Sequence, residues 1–155
     1  MSSVRLLAEV PEVIPTLAAW YRTEWAAWFV DTPIKEIESD FGTIANIATL
    51  PLGIVAFDGT VQAIGACSLR DDPFAPYPHA GPWLRGLYVH TPNRGQGIAG
   101  ELIRAAELHA KRLGVPKLYA ATHSAIGTFE RAGWLGFDQV LHLDQTLTIF
   151  AKRTI

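Results

Sequence analysis

The sequence predicts an α/β domain, because strand-like and helix-like segments alternate along its 155 residues. A second observation supports this fold class: an apolar strand at residues 83–89 leads through a glycine-rich turn into an amphipathic helix at residues 98–113. Hydrophobic residues make up 49% of the chain and charged residues 18%, which is typical of a globular protein. Because 155 residues suffice for one core, we expect a single domain that spans residues 1–155.

The N-terminal third of the chain predicts one strand and two helices. Residues 4–8 fit a short strand, and Pro11 suits the first turn of a helix that runs to about residue 29. A second helix is expected at residues 34–50, after the break at Asp31-Thr-Pro33. The first helical stretch carries five aromatic side chains, most of which we expect to pack against a sheet: Trp20, Tyr21, Trp25, Trp28 and Phe29.

Further strands are expected on both sides of the glycine-rich turn. Residues 52–57 and 61–69 predict a hairpin around Asp58-Gly59, and residues 135–140 and 147–151 predict two closing strands. Residues 71–82 contain four prolines together with Phe74 and Tyr77, which predicts an irregular loop that is functional or mobile. That loop would lie beside the strand at residues 83–89 and could help to form a pocket.

The most informative stretch runs from His90 to Leu102, where a strand passes into a helix. Gly95 and Gly97 let backbone N–H groups approach a bound anion closely, because neither residue has a Cβ atom. The N-terminus of the following helix adds unpaired donors and a partial positive charge, and Arg94 adds a full charge. We infer a site for a phosphorylated ligand, in particular a pyrophosphate.

Two common phosphate-binding patterns fail to fit this turn. Gly95, Gly97 and Gly100 satisfy the dinucleotide fingerprint, but that fold needs an acidic residue near the end of the next strand, where the chain has His123. A P-loop needs Lys followed by Ser or Thr directly after the last glycine, where Glu101 stands. A glycine-rich turn without a ligand is the remaining alternative.

Two segments of the chain carry recognisable patterns. The stretch Arg94-Gly-Gln-Gly-Ile-Ala99 fits an Arg/Gln-x-x-Gly-x-Gly/Ala signature, and it follows Leu87-Tyr-Val89 and Pro92. After the strand expected at residues 117–122, Phe129-Glu-Arg-Ala-Gly-Trp134 is similar to a Phe/Leu-Tyr-x-x-x-Gly-Phe/Trp segment. Both patterns, at this separation, resemble those of the GNAT superfamily of acyl-CoA-dependent N-acetyltransferases, and together they cover about a third of the chain.

The resemblance implies a GNAT-like fold, in which a central mixed, mainly antiparallel sheet splays at a cofactor cleft and is flanked by helices. It implies acetyl-CoA as co-substrate, with the pantetheine lying in the gap and pairing with the backbone of the central strand like an added strand. The cofactor would be bound by residues of the central strand, the glycine turn and the second motif: Leu87, Tyr88, Val89, Arg94, Gly95, Gln96, Gly97, Ile98, Ala99, Gly100 and Phe129.

Direct acetyl transfer needs a base for the amine and a donor for the thioester oxygen, and an acid for the departing thiolate helps. By analogy with the family, the backbone N–H of Val89 is the expected donor. The Tyr that usually protonates the thiolate would fall at position 130, where this sequence has Glu130. Three alternatives follow: a Glu130 kept protonated by burial, a neighbouring Tyr88 or His123, or water.

In such a fold the first helix pair covers the acceptor side of the cleft. Trp25 and Trp28 are therefore candidate acceptor-binding residues, and Glu24 is a candidate for attracting a cationic amine. The acceptor is a small-molecule or peptide amine that the sequence does not identify. No metal is implied, because the five histidines show no ligand spacing.

Composition restricts the partners and the location. A formal net charge of −2 gives no reason to expect nucleic-acid binding, and no apolar run is long enough to span a membrane. Cys67 is the single cysteine, which excludes an internal disulfide and fits a reducing cytosol, so we expect a cytoplasmic protein. Many relatives form dimers, and a homodimer is possible on that resemblance alone.

The sequence thus predicts an N-acetyltransferase that moves the acetyl group of acetyl-CoA to a primary amine by direct attack in a ternary complex. The alternative is a CoA-binding sensor or interaction module, in which Glu130 marks the loss of the catalytic acid. Turnover separates the two hypotheses, because only an enzyme releases free thiol when it is given an amine.

Overall fold

The computed structural model of the chain describes residues 2–59 and 61–155. Strands and helices alternate along the chain in the predicted order. The strands are β1 (Ser2–Leu6), β2 (Leu52–Asp58), β3 (Gln62–Arg70), β4 (Trp83–Val89), β5 (Lys117–Thr122), β6 (Leu135–His142) and β7 (Gln145–Arg153). The α-helices are α1 (Ile14–Glu24), α2 (Ile34–Thr43), α3 (Ile98–Arg112) and α4 (Ile126–Arg131), and short 3₁₀ turns precede α1 and α3.

The seven strands form one sheet in the order β1-β2-β3-β4-β5-β7-β6. β4 and β5 are parallel, and the other neighbouring pairs in this order are antiparallel. The parallel pair requires a crossover connection, which α3 supplies. The predicted mixed, mainly antiparallel sheet is therefore confirmed, as is the predicted hairpin of β2 and β3.

The sheet splays between β4 and β5. These two strands pair at one position, Trp83 opposite Tyr119, where the Tyr119 N–H also donates to the carbonyl oxygen of Pro82 at 3.0 Å. Beyond this point β4 runs on from Leu84 to Val89 without a described partner on its β5 side. The splay opens at the strand that leads into the glycine turn, as the GNAT-like fold requires.

Helices cover both faces of the sheet. On one face, α3 buries Ile98, Leu102, Ile103, Ala106 and Ala110 against β2, β3 and β5. On the other face, α1 and α2 bury Leu17, Ala18, Ile37 and Phe41 against β2 and β3. The side chains of β2 point alternately into the core under α3 and into the core under α1 and α2, so nearly all of them are buried. No helix within residues 2–59 and 61–155 has the length and hydropathy that a membrane crossing needs.

Both N-terminal helices are shorter than the sequence predicts. α1 ends at Glu24 and not near residue 29, because Trp25 leaves the helical region with φ −116° and ψ 50°. α2 ends at Thr43 and not at residue 50, because the Ile44 carbonyl accepts a hydrogen bond from Gly53, at the start of β2, at 2.8 Å. The aromatic residues after α1 therefore lie in turns.

Candidate functional site

Two cavities adjoin each other at the splay. The first, the glycine-turn cleft, has a volume of about 590 Å³ and lies between the end of β4, the glycine turn and α4. The second, the aromatic pocket, has a volume of about 290 Å³ and lies between α1, α2, β4 and the end of β5. Both cavities are lined by Leu87, Ser124 and Ala125, so two ligands could meet there.

The glycine turn adopts a conformation that only glycine takes readily. Gly95 has φ +78° and Gly97 has φ +83°, and a Cβ atom at either position would meet no atom of the described residues within 4 Å. Gly97 is also the N-cap of α3, and no side chain caps the helix there. The first backbone N–H groups of the helix therefore have no partner within the helix and face open space, which suits an anionic oxygen.

Three arginines line the glycine-turn cleft: Arg94, Arg104 and Arg131. The Arg94 Nε donates to the carbonyl oxygen of Val89 at 2.8 Å, and its Nη2 lies 3.3 Å from Glu24. Sequence reasoning missed Arg104 and Arg131. The sequence did contain a signal for Arg104. This residue follows Gly100 by one helical turn and therefore projects from the same face of α3.

The last residues of β4 form the wall between the two cavities. Leu87, Tyr88 and Val89 all line the glycine-turn cleft. The His90 N–H donates toward β3, to the Ile64 carbonyl at 2.8 Å. Because successive N–H groups point to opposite edges of a strand, the Val89 N–H points to the open edge at the splay. The predicted donor thus faces the gap.

A bulge in β4 shapes this wall. The register with β3 shifts between the pairs Ala66–Tyr88 and Ser68–Arg85, so β4 has one extra residue there. Gly86 takes φ +64° at this point, and its carbonyl oxygen accepts a hydrogen bond from the Tyr21 hydroxyl of α1. Burial raises the pKa of Tyr21 well above its ordinary value, so the hydroxyl remains a donor.

The aromatic pocket contains the predicted residues Trp25 and Trp28, whereas Glu24 lines the glycine-turn cleft beside Arg94. Phe74, from the proline-rich loop, lines the pocket as well, in agreement with the expectation that this loop helps to form a pocket. Three charged residues that sequence reasoning missed also line it: Arg70, Arg85 and Asp40. No sequence motif marks them, because they come from different strands and a helix.

The catalytic candidates lie in three different environments. His123 lines the aromatic pocket, with its Nε2 3.3 Å from the Gln145 side chain. Tyr88 is 7% exposed, lies among the rings of Trp20, Tyr21 and Trp25, and lines the glycine-turn cleft.

Glu130 is exposed and lines neither cavity. The geometry therefore gives no support to its catalytic assignment or to burial that would keep it protonated. Counted back from Gly133, the Tyr of the Tyr-x-x-x-Gly pattern falls on Phe129, one residue before the position that the sequence analysis assigned. Phe129 is 2% exposed and lines the aromatic pocket.

The other predicted cofactor residues lie mostly along the glycine-turn cleft. Ile98, Ala99 and Gly100 line it with Gly95 and Gly97, whereas Gln96 is exposed and lines neither cavity. A cleft with uncapped helix N–H groups and three arginines fits a ligand that carries several phosphate groups, as coenzyme A does. No group of three potential metal ligands lies together among residues 2–59 and 61–155.

Comparison with known proteins identifies a family and a shared fold. Residues 15–134 match the family described as the acetyltransferase (GNAT) family. Among functionally curated proteins, none matches the chain in sequence.

Several solved structures superpose on nearly the whole chain. An aminoglycoside 6'-N-acetyltransferase in complex with coenzyme A has a TM-score of 0.78 at 14% identity, covering 99% of this chain and 97% of the other. A putative acetyltransferase from Salmonella typhimurium with acetyl-CoA gives 0.71 at 15% identity, with 99% and 94% covered. Mutant forms of the spermidine/spermine N-acetyltransferase from Vibrio cholerae give 0.74 at 14%, with 99% and 95% covered. Identities this low establish a common fold alone.

Proposed function

Because the chain belongs to the GNAT family of acetyltransferases, we propose that it transfers the acetyl group of acetyl-CoA to a primary amine held in the aromatic pocket. The observation that carries this proposal is the meeting of two unlike cavities at Leu87. One cavity is rich in arginine and helix N–H donors, and the other is lined by aromatic rings. A long anionic co-substrate and a small amine could therefore bring their reacting groups together at β4.

The glycine-turn cleft would hold the co-substrate. Backbone N–H groups from Gly95 to Gly100 and the side chains of Arg94, Arg104 and Arg131 would bind its phosphates. The unpaired edge of β4 offers backbone groups that can pair with an extended chain containing amides, as pantetheine does. When bound, the co-substrate supplies an acetyl thioester as an activated acyl donor.

The reaction would proceed by direct attack of the amine on the thioester carbonyl carbon, with cleavage of the C–S bond. The Val89 N–H, which faces the open edge of β4, would stabilise the negative charge that develops on the carbonyl oxygen. We assign His123 as the acceptor of the amine proton, because it lines the aromatic pocket and an imidazole can accept a proton at neutral pH.

The departing thiolate would be protonated without the tyrosine of the family's second motif. Phe129 stands at the position of that tyrosine and has no hydroxyl, and Glu130 lies outside both cavities. A thiol has a pKa of about 8.5, so the thiolate can leave without an acid and take a proton from water. Tyr88, which lines the glycine-turn cleft, is the alternative donor among the predicted residues.

Thermal unfolding with acetyl-CoA, free CoA and NAD tests the cofactor assignment. A ligand present at about 100 times its dissociation constant adds roughly 2.7 kcal/mol to the free energy of unfolding, which raises the Tm of a domain of this size by several degrees. We expect this rise with both CoA species and none with NAD. An equal rise with NAD, or no rise with CoA, would refute the assignment.

Release of free thiol tests the enzyme activity. With acetyl-CoA and a panel of amines we expect thiol release that is matched by acetylated product in mass spectrometry. Cofactor binding without turnover on any amine would instead favour a CoA-binding sensor or interaction module. A cytoplasmic location and a homodimer stay predictions, which cell fractionation and light scattering would check.

A further inference from the structure

The aromatic pocket combines an apolar wall with two positive charges. Its wall includes eight aromatic residues: Tyr21, Trp25, Trp28, Phe29, Phe41, Phe74, Trp83 and Phe129. Arg70 of β3 and Arg85 of β4 line the same space, as does Asp40 of α2, the ion-pair partner of Arg70. Because Ser68 lies opposite Arg85 in the sheet, Arg70 projects from the same face as Arg85, two residues along β3.

These arginines are more buried than the carboxylates that pair with them. The side chain of Arg70 is 19% exposed and that of its partner Asp40 is 58% exposed, with 2.8 Å between Nη2 and Oδ2. The side chain of Arg85 is 26% exposed and that of its partner Asp72 is 54% exposed, with 3.2 Å between Nη1 and Oδ2. Such exposed carboxylates are held weakly, because water competes for them. The more buried charges at the pocket are therefore the two guanidinium groups, and the carboxylates lie nearer to solvent.

Arg85 has donor capacity that the protein leaves unused. Asp72 accepts from both Nη atoms, through its carboxylate and its carbonyl oxygen, whereas the buried Nε has no hydrogen-bond partner among the described residues. Burial lowers the pKa of Arg85, Asp72 raises it and the neighbouring Arg70 lowers it further. A negatively charged group between the two guanidinium groups would offset both the burial and the mutual repulsion.

We propose that the acceptor is a small amine that also carries a carboxylate and an apolar body, as an apolar amino acid does. The carboxylate would bind to Arg70 and Arg85, the apolar body would lie against the aromatic rings, and the amine would point to Leu87, where the cavities meet. A volume of about 290 Å³ suits a ligand of this size. Polyamines and aminoglycosides carry several positive charges that the two arginines would repel. This inference rests on the proposed acetyl transfer.

Matched pairs of amines test the carboxylate. We would compare phenylalanine with phenylalaninamide, and leucine with leucinamide, by thiol release at a fixed concentration of acetyl-CoA. The amine of an amino-acid amide has a lower pKa than the amine of the amino acid itself. At neutral pH a larger fraction of the amide compound is therefore free amine, and it would react faster than the acid if the protein did not recognise the carboxylate. We expect the acids to have kcat/KM values about tenfold or more above those of their amides. Equal or faster turnover of the amides, or preferred turnover of spermidine or an aminoglycoside, would overturn the inference.

Variants identify the groups that recognise the carboxylate. Arg70→Gln and Arg85→Gln should each raise KM for the acids about tenfold, reduce the preference over the amides and leave acetyl-CoA binding unchanged. Arg85→Lys, which keeps the charge, should have a smaller effect if folding is intact. Arg5→Gln removes an exposed arginine of β1 that lines neither cavity and is the matched control. Unchanged KM in both Arg→Gln variants would refute the assignment.

Binding measurements separate this inference from the proposed function. In the presence of CoA, the acids should raise the Tm and their amides should not, whether or not turnover occurs. Failure of acetyl-CoA to bind would contradict the proposed function. Binding of acetyl-CoA with turnover of amines that lack a carboxylate would contradict the further inference alone. The further inference would also be wrong if the acids were neither bound nor turned over in preference to their amides.

Discussion

The hydroxyl of Tyr21 on α1 donates a hydrogen bond to the carbonyl oxygen of Gly86, 65 residues later in the chain. Gly86 has a positive φ at the bulge of β4, and a Cβ atom there would lie 2.8 Å from the Tyr21 ring. The contact therefore fixes α1 against the strand that separates the two cavities.

Tyr21→Phe should destabilise the protein, because the Gly86 carbonyl loses a buried donor. We expect a loss of about 1–3 kcal/mol in the free energy of unfolding, measured by urea denaturation. Tyr77→Phe is the matched control, because the Tyr77 hydroxyl donates to Asp138 at an exposed site, at 3.0 Å. Equal losses in the two variants would argue against a special role for the Tyr21 contact.

Gly97→Ala should weaken acetyl-CoA binding and cost some stability. A left-handed conformation costs a residue with a Cβ atom roughly 1–2 kcal/mol, and the added methyl group would occupy the space proposed for phosphate. We expect an affinity loss of about tenfold or more by calorimetry, equivalent to about 1.4 kcal/mol. Gly42→Ala on α2, where neither strain nor contact arises, should bind acetyl-CoA normally. Normal acetyl-CoA binding by Gly97→Ala would contradict the assignment of the glycine turn as the phosphate-binding site.

His123→Gln should lower kcat with acetyl-CoA affinity unchanged, because the side chain lines the aromatic pocket and not the glycine-turn cleft. A general base contributes about 100-fold or more, so kcat should fall by about that factor. Steady-state thiol release with acceptor amine measures the effect, and calorimetry checks the cofactor. A kcat within about twofold of that of the unmodified protein would transfer the role to water.

Phe129→Tyr and Glu130→Gln should behave differently. Phe129 lines the aromatic pocket one helical turn after Ala125, which lines both cavities, so a hydroxyl at position 129 could donate to the thiolate. We expect kcat to rise by up to about tenfold. Glu130→Gln should keep kcat within about twofold, because the carboxylate is exposed and lines neither cavity. A large loss of kcat in Glu130→Gln would restore a catalytic role for that residue.

Because of Cys67, the free energy of unfolding should fall as the pH rises in the alkaline range. Burial raises the pKa of this thiol from 9.0 to about 12, so the folded state holds the proton more tightly than the unfolded state. The stabilisation is therefore complete below pH 9 and is lost between pH 9 and about 12, with a slope of up to about 1.4 kcal/mol per pH unit. Urea unfolding at pH 8, 9 and 10 should show this slope, and Cys67→Ala should reduce it. An identical slope in Cys67→Ala would assign the effect to other groups.

The glycine turn and α3 could be predicted from sequence because their signals are local. Positive φ values at Gly95 and Gly97 and the apolar stripe of α3 depend on residues close together in the chain. The ends of α1 and α2 could not be predicted in this way. Ile44, for example, is held by Gly53 of the next strand, so a tertiary hydrogen bond ends a segment whose composition suits a helix.

The two arginines of the aromatic pocket could not be predicted from the sequence, again because their arrangement depends on tertiary structure. Arg70 and Arg85 project from one face only in a particular register of β3 against β4, and the bulge at Gly86 sets that register. Glu130 was misassigned because the motif was counted one residue too far along the chain. One residue along a helix rotates a side chain by about 100°, enough to turn it from the cavity to the solvent. Burial of Phe129 next to an exposed Glu130 shows this rotation directly.

The splay between β4 and β5 also has a consequence for handling and storage of the protein. A strand edge in the middle of a sheet is normally paired, yet from Leu84 to Val89 β4 has no described partner strand on its β5 side. Side chains occupy only some of its backbone groups, such as the carbonyl oxygens of Gly86 and Val89. Without its co-substrate, the protein thus has a strand edge on which a second copy could pair. Bound CoA would cover this edge and prevent such self-association. We expect purification without CoA to promote aggregation, and added CoA to suppress it.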